Sequence, residues 1–294
     1  MEQKLTIVVP CYNEQENIPE FFPLLLDFAE KNQFKVLAVN DGSSDETGKV
    51  LEKFSDHPCL EILQHKRNLG YGAAIKTGLK AVKTEFAITV DSDGQHRLED
   101  ILKCFEYIQE TKADLVVGAR ENNTSGSYRT LGKWVIRKFA GSLLELPVKD
   151  LNSGMKCYRV EESRNYLELC PDTMAFSDVI LLLMVNDGKL VSETPIKTVP
   201  RTAGQSTIGT RTAIVTIAEI LNLAILLRPI TTFFRLGLYF VIIGVIWGCF
   251  VYIRSRTITP IVSMFILLGM FSFMLGLLGE QLAQIRKKLA NLKK

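Results

Sequence analysis

The stretch FAITVDSDGQH, residues 86–96, joins a run of apolar and β-branched residues to two aspartates that stand two positions apart. A short run of this kind is typical of a strand that is buried in a sheet. The aspartates follow the run directly, so their carboxylates are expected just beyond the end of that strand. The stretch therefore predicts a buried strand with acidic side chains at its carboxyl end.

Three further runs of the same kind alternate with stretches that have the apolar periodicity of amphipathic helices. The runs lie at 5–9, 34–39 and 114–118, and the helical stretches lie near 17–31, 45–54, 70–83 and 98–111. This alternation predicts an α/β fold with a doubly wound, mostly parallel sheet. In such sheets ligands bind beyond the carboxyl ends of the strands, where the motifs PCYNE, NDGSSDET, DSDGQH and GAR fall. One pocket is expected to collect all four motifs.

Composition narrows the class of protein. The 294 residues include 35 Lys and Arg against 32 Asp and Glu, without a basic stripe interleaved with aromatic residues, so nucleic acid is not an expected partner. The 6 cysteines have no CxxC or other metal-ligand spacing, and a chain of this length does not need disulfides to fold. We expect the cysteines to be reduced and mostly packed in the core.

The C-terminal part is more apolar than the rest of the chain. No charged residue occurs from 236 to 253 or from 257 to 279, and about 20 apolar residues cross a bilayer as a helix. Two transmembrane helices joined by a tight turn near Arg254 are predicted, and a hairpin buried in a soluble core is the alternative. The stretch 212–227 is apolar but contains Glu219, which favours a helix lying on the membrane surface.

Two spans would return the chain to the side of the membrane on which it begins. The N-terminus lacks a basic segment followed by an apolar segment and a cleavage site, so the first domain is expected in the cytosol. The basic residues after the second span agree with a cytosolic end. The predicted organisation is an α/β domain at 1–210, an interfacial helix at 211–229, two transmembrane helices at 230–281 and a basic cytosolic tail at 282–294.

The acidic motif suits a hard cation. Asp91 and Asp93 offer carboxylates, and Gln95 can add an amide oxygen. Oxygen ligands of this kind suit Mg²⁺ or Mn²⁺, which one or two carboxylates often hold while substrate phosphates complete the shell. The alternative is a solvated Asp-Gly turn, and the motif by itself leaves both interpretations open.

Four motifs resemble, in order and spacing, those of the family 2 glycosyltransferases. They are VVPCYNEQENI, VNDGSSDET, HKRNLGYGAAIKTGL and TVDSDGQH. The chain resembles more closely the subgroup, similar to dolichol-phosphate mannose synthase, that transfers a sugar from a nucleotide to polyprenyl or dolichyl phosphate. The resemblance implies a GT-A glycosyltransferase domain, which is Rossmann-like, at 1–210, and the apolar tail resembles the membrane anchor of bacterial members.

The resemblance also implies roles for individual residues. Asp93, Arg120 and Arg201 would be catalytic, and Asp91, Asp93 and Gln95 would hold Mg²⁺ or Mn²⁺ on the donor diphosphate. The donor would be bound by Pro10, Tyr12, Glu14, Val39, Asp41, Asp91, Ser92, Asp93 and Gln95, with Tyr12 stacked on the base. The acceptor phosphate would be bound by Arg120, Arg129, Arg201 and Ser206. Thr207 stands where relatives often have lysine, which removes one expected cation.

The implied function is transfer of one sugar from a nucleotide sugar, such as UDP-glucose or GDP-mannose, to polyprenyl phosphate at the cytosolic face of a bacterial or archaeal plasma membrane. The reaction would depend on the metal. The lipid phosphate would be its own nucleophile, because a phosphate monoester with a second pKa near ~6 is largely ionised at pH 7. Direct displacement would invert the anomeric centre. His96 is then not needed as a base and is expected at the surface.

Two alternatives to single sugar transfer remain, one within the transferases and one from another functional class. A processive polysaccharide synthase of this family typically has a Gln-x-x-Arg-Trp motif, to which neither Trp134 nor Trp247 belongs. The sequence leaves open the sugar, the base, the length of the polyprenol and homo-oligomerisation. A catalytically silent scaffold with the same fold is disfavoured because the residues that match the family motifs, including Asp41, Asp91 and Asp93, are present.

Overall fold

A computed structural model of the chain describes residues 4–120, 148–151, 153–197, 225, 229–257 and 260–291. The described residues divide into two units, one made of residues up to 197 and the other of residues from 225 onward. The first unit contains a sheet and its helices, and the second consists mainly of two long helices.

Within the described part of the chain, the first unit is built on a seven-stranded sheet. Its strands are β1 (Leu5–Cys11), β2 (Lys35–Asn40), β3 (Leu60–Gln64), β4 (Phe86–Thr89), β5 (Leu115–Arg120), β6 (Lys156–Arg159) and β7 (Val191–Ile196). Their spatial order is β3-β2-β1-β4-β6-β5-β7, and every neighbouring pair is parallel except the two that contain β6. The predicted α/β fold with a mostly parallel sheet is confirmed, and β3, β6 and β7 add to the four strands that the apolar runs predicted.

Helices cover both faces of the sheet. They are α1 (Ile18–Lys31), α2 (Thr47–Glu52), α3 (Tyr71–Ala81), α4 (Leu98–Thr111), α5 (Val160–Arg164) and α6 (Phe176–Asn186), with a short 3₁₀ turn at Leu167–Leu169. Ile7 of β1 lies in one core with Phe22 of α1 and Ile101 of α4. Val8 points to the opposite face, as alternation along a strand requires, and there it meets Gly78 of α3. Burial from both sides explains why the central strands are continuous apolar runs.

The second unit is a hairpin of α7 (Pro229–Ser255) and α8 (Pro260–Asn291). Glycines let the two backbones approach closely, because a Cβ at Gly237 would lie 2.7 Å from the carbonyl oxygen of Gly269. The hydroxyl of Ser272 donates a hydrogen bond of 2.9 Å to the carbonyl oxygen of Phe233. Small residues and hydrogen bonds between helices are typical of packing inside a membrane.

Both helices of the hairpin are long and apolar enough to cross a bilayer. The spans are Pro229–Arg254 and Pro260–Ile285, with mean hydropathies of 2.3 and 2.4, and only 11% and 17% of their most apolar windows are buried. A hairpin in a soluble core would be mostly covered, so the alternative of a core hairpin is not supported. Helix α8 continues to residue 291, into the segment predicted as a tail, and nearly all of 211–229 lies outside the described residues.

Helix α3 packs so closely on β1 that position 78 has no room for a side chain. A Cβ at Gly78 would lie 2.3 Å from Cγ1 of Val8. We expect Gly78→Ala to lower the free energy of unfolding, because overpacking costs about 1–3 kcal/mol, more than the ~1 kcal/mol that alanine contributes in a helix. Denaturant unfolding followed by circular dichroism measures the change.

The double variant with Val8→Ala provides the control for this prediction. Removing the Val8 methyls makes room for the new Cβ, so the double variant should be less destabilised than the sum of the two single variants. Strict additivity of the two losses would contradict the predicted clash.

Candidate active site

Three adjacent parallel strands, β2, β1 and β4, end at one edge of the sheet. Tyr12 and Glu14 follow β1, Asp41 follows β2, and Asp91 and Asp93 follow β4. The carboxyl ends of parallel strands meet at one edge, which is where ligands of such sheets bind. The structure therefore brings the polar ends of three predicted strands together.

The predicted donor residues within the strands differ in what they expose. Pro10 and Val39 stand opposite each other in the register of β1 and β2, and both are buried. The side chain of Val39 faces Gly78 of α3, so only its backbone is available to a ligand. Tyr12 is 44% exposed, which leaves its ring accessible to a base.

The loop after β1 is tied to the loop after β2. The side-chain oxygen of Asn13 accepts a hydrogen bond of 2.9 Å from the N–H of Ser44, and the N–H of Asn13 donates to the hydroxyl of Ser43 at 3.0 Å. The N–H of Glu14 donates to the hydroxyl of Thr47 at 2.8 Å. Because these bonds fix the residues that follow Tyr12, the position of its backbone is determined by both loops.

Asp41 is a buried carboxylate that organises the loop before α3. Its Oδ1 accepts a hydrogen bond of 2.9 Å from the N–H of Leu69, and its Oδ2 accepts one of 2.9 Å from the N–H of Gly70. The Nδ1 of His65 lies 2.6 Å from Oδ1, and the Nε2 of His65 lies 2.9 Å from the hydroxyl of Thr77. Both oxygens of Asp41 are thus engaged by the protein itself.

The carboxylate of Asp91 is held at the end of β4. The hydroxyl of Tyr71 donates to its Oδ1 at 3.0 Å, and the Nε2 of His96 lies 3.5 Å from its Oδ2. Burial raises the pKa of Asp91, but hydrogen bonding and charge from His96, together with Tyr71 and Arg120, outweigh burial and bring the pKa below its ordinary value. Asp91 is therefore ionised at neutral pH. Burial, reinforced by Asp91, raises the pKa of Tyr71 well above its ordinary value, which keeps its hydroxyl a donor.

The rest of the acidic motif forms a tight turn. Gly94 has φ +71, in the left-handed region that favours glycine, and the N–H of Gln95 donates to Oδ1 of Asp93 at 3.1 Å. Ser92 is buried, whereas Asp93 and Gln95 are partly exposed. The backbone here forms the Asp-Gly turn that was the alternative interpretation of the motif. This turn leaves the carboxylate of Asp93 and the amide of Gln95 partly exposed.

The residues of this turn fit a divalent ion that binds together with a substrate. In the part of the chain that the structure describes, no three His, Cys, Asp or Glu side chains converge as a preformed metal cage. An ion such as Mg²⁺ commonly takes one or two carboxylates and completes its shell with water and phosphates. An ionised Asp91 next to the partly exposed Asp93 supplies a donor set of that kind.

The position of His96 differs from the one expected. The sequence suggested a surface histidine, but the residue is only 6% exposed. The carboxylate of Asp91 explains this, because it offers the ring a charged neighbour inside the fold. Nδ1 of His96 is buried and has no hydrogen-bond partner among the described residues.

Arg120 forms a two-point ion pair with Asp150. Its Nε and Nη2 donate to the two carboxylate oxygens of Asp150 at 2.7 and 2.9 Å. The ion pair raises the pKa of Arg120. Burial raises the pKa of Asp150, but Arg120 lowers the pKa of Asp150 by more, so both groups are charged. Asp150 thus fixes the direction of the Arg120 guanidinium.

Lys156 is a further functional candidate. It is the first residue of β6 and has no exposed surface, and its ammonium donates to the carbonyl oxygens of Leu151 and Ser153 at 2.9 and 2.6 Å. Because β6 runs antiparallel to β4 and β5, its first residue lies at the edge where those strands end. No spacing rule links position 156 to position 91, so only the strand register reveals the proximity.

Three predicted acceptor residues, Arg129, Arg201 and Ser206, lie outside the described residues. Tyr71 was within a quoted motif but received no role from the sequence. Gly154 lies against the carboxylate of Asp91, because a Cβ there would lie 2.3 Å from Oδ2 of Asp91. The sequence carries no signal that places either Tyr71 or Gly154 next to Asp91, because the fold alone brings them together.

Comparison with sequence families identifies both parts of the chain. Residues 6–162, more than half of the chain, match glycosyl transferase family 2. Residues 228–285 match the family described as the GtrB C-terminal hairpin. The resemblance that the four motifs carry is confirmed by these matches.

Individual relatives agree with this assignment. The chain is 23% identical over 297 residues to undecaprenyl-phosphate 4-deoxy-4-formamido-L-arabinose transferase of Edwardsiella ictaluri, covering 96% of this chain and 90% of that protein. It is 25% identical over 214 residues to dolichyl-phosphate beta-glucosyltransferase ALG5A of Trichomonas vaginalis, covering 66% of this chain and 65% of that protein. The alignment thus spans slightly less than two thirds of ALG5A.

Solved structures support the fold. Glucosyl-3-phosphoglycerate synthase from Mycobacterium tuberculosis, in complex with Mn²⁺, UDP-glucose and phosphoglyceric acid, has a TM-score of 0.57 and 16% identity, covering 76% of this chain and 80% of that one. S. aureus TarS 1–349 in complex with UDP-GlcNAc has a TM-score of 0.53 and 20% identity, covering 76% of this chain and 67% of that one. At these identities the similarity establishes the fold alone.

The buried Lys156 makes a prediction about pH. Burial lowers the pKa of Lys156 from 10.5 to about 8, and the nearby carboxylates Asp178 and Asp150 counter this only in part. Between those two values the unfolded chain binds more protons at this residue than the folded chain, so this group makes folding more favourable as the pH rises. The free energy of unfolding of wild type, relative to Lys156→Met, should therefore increase from pH 7.5 to pH 10.

Chemical denaturation at several pH values measures this difference. The same substitution at the exposed Lys53 controls for the loss of one lysine from the protein. A difference between wild type and Lys156→Met that stays constant or falls across the window would contradict the lowered pKa of Lys156.

Proposed function

The chain belongs to glycosyl transferase family 2, and from this premise we propose that it transfers one sugar from a nucleotide sugar to a polyprenyl phosphate in a membrane. The observation that carries the proposal is the pair of carboxylates Asp91 and Asp93 just after β4, with Asp91 held by the hydroxyl of Tyr71, in a chain whose second unit is an apolar hairpin long enough to cross a bilayer. Relatives that act on undecaprenyl and dolichyl phosphates align with the chain, one of them over 96% of its length.

The donor is proposed to lie across the shared edge of β2, β1 and β4. Tyr12 would stack on the base, since its ring is the exposed aromatic group at the end of β1. The other proposed donor contacts are Pro10, Glu14, Val39, Asp41 and Ser92, with Val39 limited to its backbone and Asp41 acting mainly through the loop that it holds.

Asp91, Asp93 and Gln95 are proposed to hold Mg²⁺ or Mn²⁺ at the diphosphate. When bound, such an ion neutralises the charge that develops on the departing phosphate as the anomeric bond breaks. The part of Asp91 is to present an ionised carboxylate in a fixed direction, and the hydrogen bond from Tyr71 supports that direction.

The acceptor phosphate is proposed to meet Arg120. Two of its donor groups are committed to Asp150, but a guanidinium has five N–H groups, and the side chain is 26% exposed. The remaining N–H groups are suited to a phosphate. Arg129, Arg201 and Ser206 stay proposed partners of the same phosphate, and Asp93, Arg120 and Arg201 the proposed catalytic residues.

The phosphate of the lipid would attack the anomeric carbon directly, because it is ionised at neutral pH without a general base. The domain at 1–210 is proposed to face the cytosol of a bacterial or archaeal cell, where nucleotide sugars are made. The segment 211–229 is proposed to lie on the membrane surface, residues 230–281 to form the anchor, and residues 282–294 to end in the cytosol.

The reaction predicts metal-dependent transfer in vitro. Purified protein in detergent should transfer label from one of UDP-glucose, UDP-N-acetylglucosamine and GDP-mannose to polyprenyl phosphate, and EDTA should abolish the transfer. Asp93→Asn should lower kcat by about 10²–10³-fold, the usual cost of removing one group that stabilises developing charge. Asp27→Asn, which changes an exposed carboxylate of α1, should transfer sugar like wild type.

Two results would contradict this proposal. Absence of transfer from every donor, by folded protein that binds a nucleoside diphosphate, would favour a catalytically silent scaffold or a different acceptor. Equal activity of Asp93→Asn and Asp27→Asn would remove Asp93 from the reaction.

Direct displacement predicts the stereochemistry of the product. A donor with an α-linked sugar should give a β-linked lipid sugar, because attack from the opposite face inverts the anomeric carbon. The anomeric coupling constants of the purified lipid product, measured by NMR, decide the configuration. An α-linked product from an α-linked donor would require a covalent intermediate or attack from the same face.

A further inference from the structure

The segment Leu69–Tyr71 touches two carboxylates of the proposed donor site, those of Asp41 and Asp91. The N–H groups of Leu69 and Gly70 donate to the two oxygens of Asp41. The next residue, Tyr71, donates its hydroxyl proton to Asp91 at 3.0 Å. Asp41 follows β2 and Asp91 follows β4, which are separated in the sheet by β1. Three consecutive residues therefore bridge two groups that the sheet places on either side of a strand.

The backbone of this bridge has little freedom. Gly70 has φ +107, and a Cβ there would lie 2.3 Å from the carbonyl oxygen of Asp172. The same carbonyl oxygen accepts a hydrogen bond of 2.9 Å from the N–H of Gly72. Tyr71 thus begins α3 between two glycines whose positions are fixed by one loop. The backbone from which the Tyr71 side chain departs is therefore fixed on both sides.

Asp91 is also confined on the side away from the tyrosine hydroxyl. Gly154 lies against its carboxylate, where a Cβ would be 2.3 Å from Oδ2. The carbonyl oxygen of Gly154 accepts a hydrogen bond of 2.7 Å from the hydroxyl of Thr89, in β4. The buried ammonium of Lys156 holds the carbonyl oxygens of Leu151 and Ser153 just before that glycine. Rotation of the Asp91 carboxylate is limited by a fixed backbone at Oδ2 and a hydroxyl at Oδ1.

We propose that Tyr71 is a positioning residue that sets the direction of the Asp91 carboxylate relative to Asp41. This inference rests on the proposed function, because it gives Asp91 to the diphosphate and the loop held by Asp41 to the nucleoside. Tyr71 does not touch the reacting atoms. Tyr71 keeps the nucleoside end and the diphosphate end of the donor site in one arrangement. A nucleotide bound at the first end then meets the Asp91 carboxylate in the orientation that binding requires.

The test is Tyr71→Phe, which removes one hydroxyl and keeps the ring. Binding of Mn²⁺ in the presence of UDP or GDP, followed by the electron paramagnetic resonance signal of free Mn²⁺, should weaken about tenfold, the effect expected for loss of a hydrogen bond to a charged group. Binding of UDP or GDP in EDTA, followed by calorimetry, should not change. In the transfer assay, the Mn²⁺ concentration for half-maximal activity should rise by a similar factor.

Tyr166→Phe is the matched control. Tyr166 is 5% exposed, and its hydroxyl bonds to the carboxylate of Asp187, on elements that hold none of the proposed donor residues. This variant loses the same kind of bond and should bind Mn²⁺ and nucleotide like wild type. Circular dichroism and thermal unfolding of both variants establish that each is folded.

The outcomes separate the inference from the function. Unchanged Mn²⁺ binding in Tyr71→Phe, or equal weakening of nucleotide binding with and without Mn²⁺, would overturn the positioning role even if wild type transfers sugar. Weaker Mn²⁺ binding in Tyr71→Phe alone would support the role even if no tested lipid accepts a sugar. A wild type that binds no Mn²⁺ with either nucleotide would overturn both the role and the proposed donor site.

Discussion

The parallel pairing of β1 with both β2 and β4 is the constraint on which the site depends. Parallel strands all end at the same edge, so the loops after these three strands leave the sheet side by side. Each of those loops contains polar residues. A hydrogen bond between Asn13 and Ser44 joins the loops after β1 and β2, and the segment Gly70–Tyr71, bonded to Asp41 and Asp91, joins the loops after β2 and β4. Without that register, the same motifs would remain scattered turns.

The charges at this edge are compensated in different ways. Arg120 and Asp150 neutralise each other directly, and Lys156 is stabilised by carbonyl oxygens with carboxylates nearby. Asp91 has a hydroxyl and an imidazole as its direct partners. Burying charge is costly unless it is paired or hydrogen-bonded. A carboxylate that is hydrogen-bonded but not matched by a direct arginine or lysine pair keeps negative charge for a ligand, which is the electrostatic condition for binding a cation.

The sequence predicted the parts of the structure that local patterns determine. Apolar runs followed by acidic motifs located β1, β2, β4 and β5 and placed Asp41 and Asp91 at strand ends. The patterns could not show that β6 is inserted antiparallel between β4 and β5. The sequence of a four-residue strand does not reveal which strands it pairs with or in which direction. The proximity of Gly154 and Lys156 to Asp91 could not be predicted for this reason, since it arises only through that register. Tyr71 was missed because its hydroxyl partner is brought near by folding alone.

The reversed direction of β6 has a consequence for how such proteins diversify. The chain leaves the sheet at Arg120, the last residue of β5, and enters it again at Lys156, the first residue of β6, and both positions lie at the edge where β4 ends. The register of each strand is set by its own pairing, so an insertion or deletion between these two residues does not shift any strand against its neighbours. The sheet can therefore stay constant while the connection between Arg120 and Lys156 differs in length or sequence.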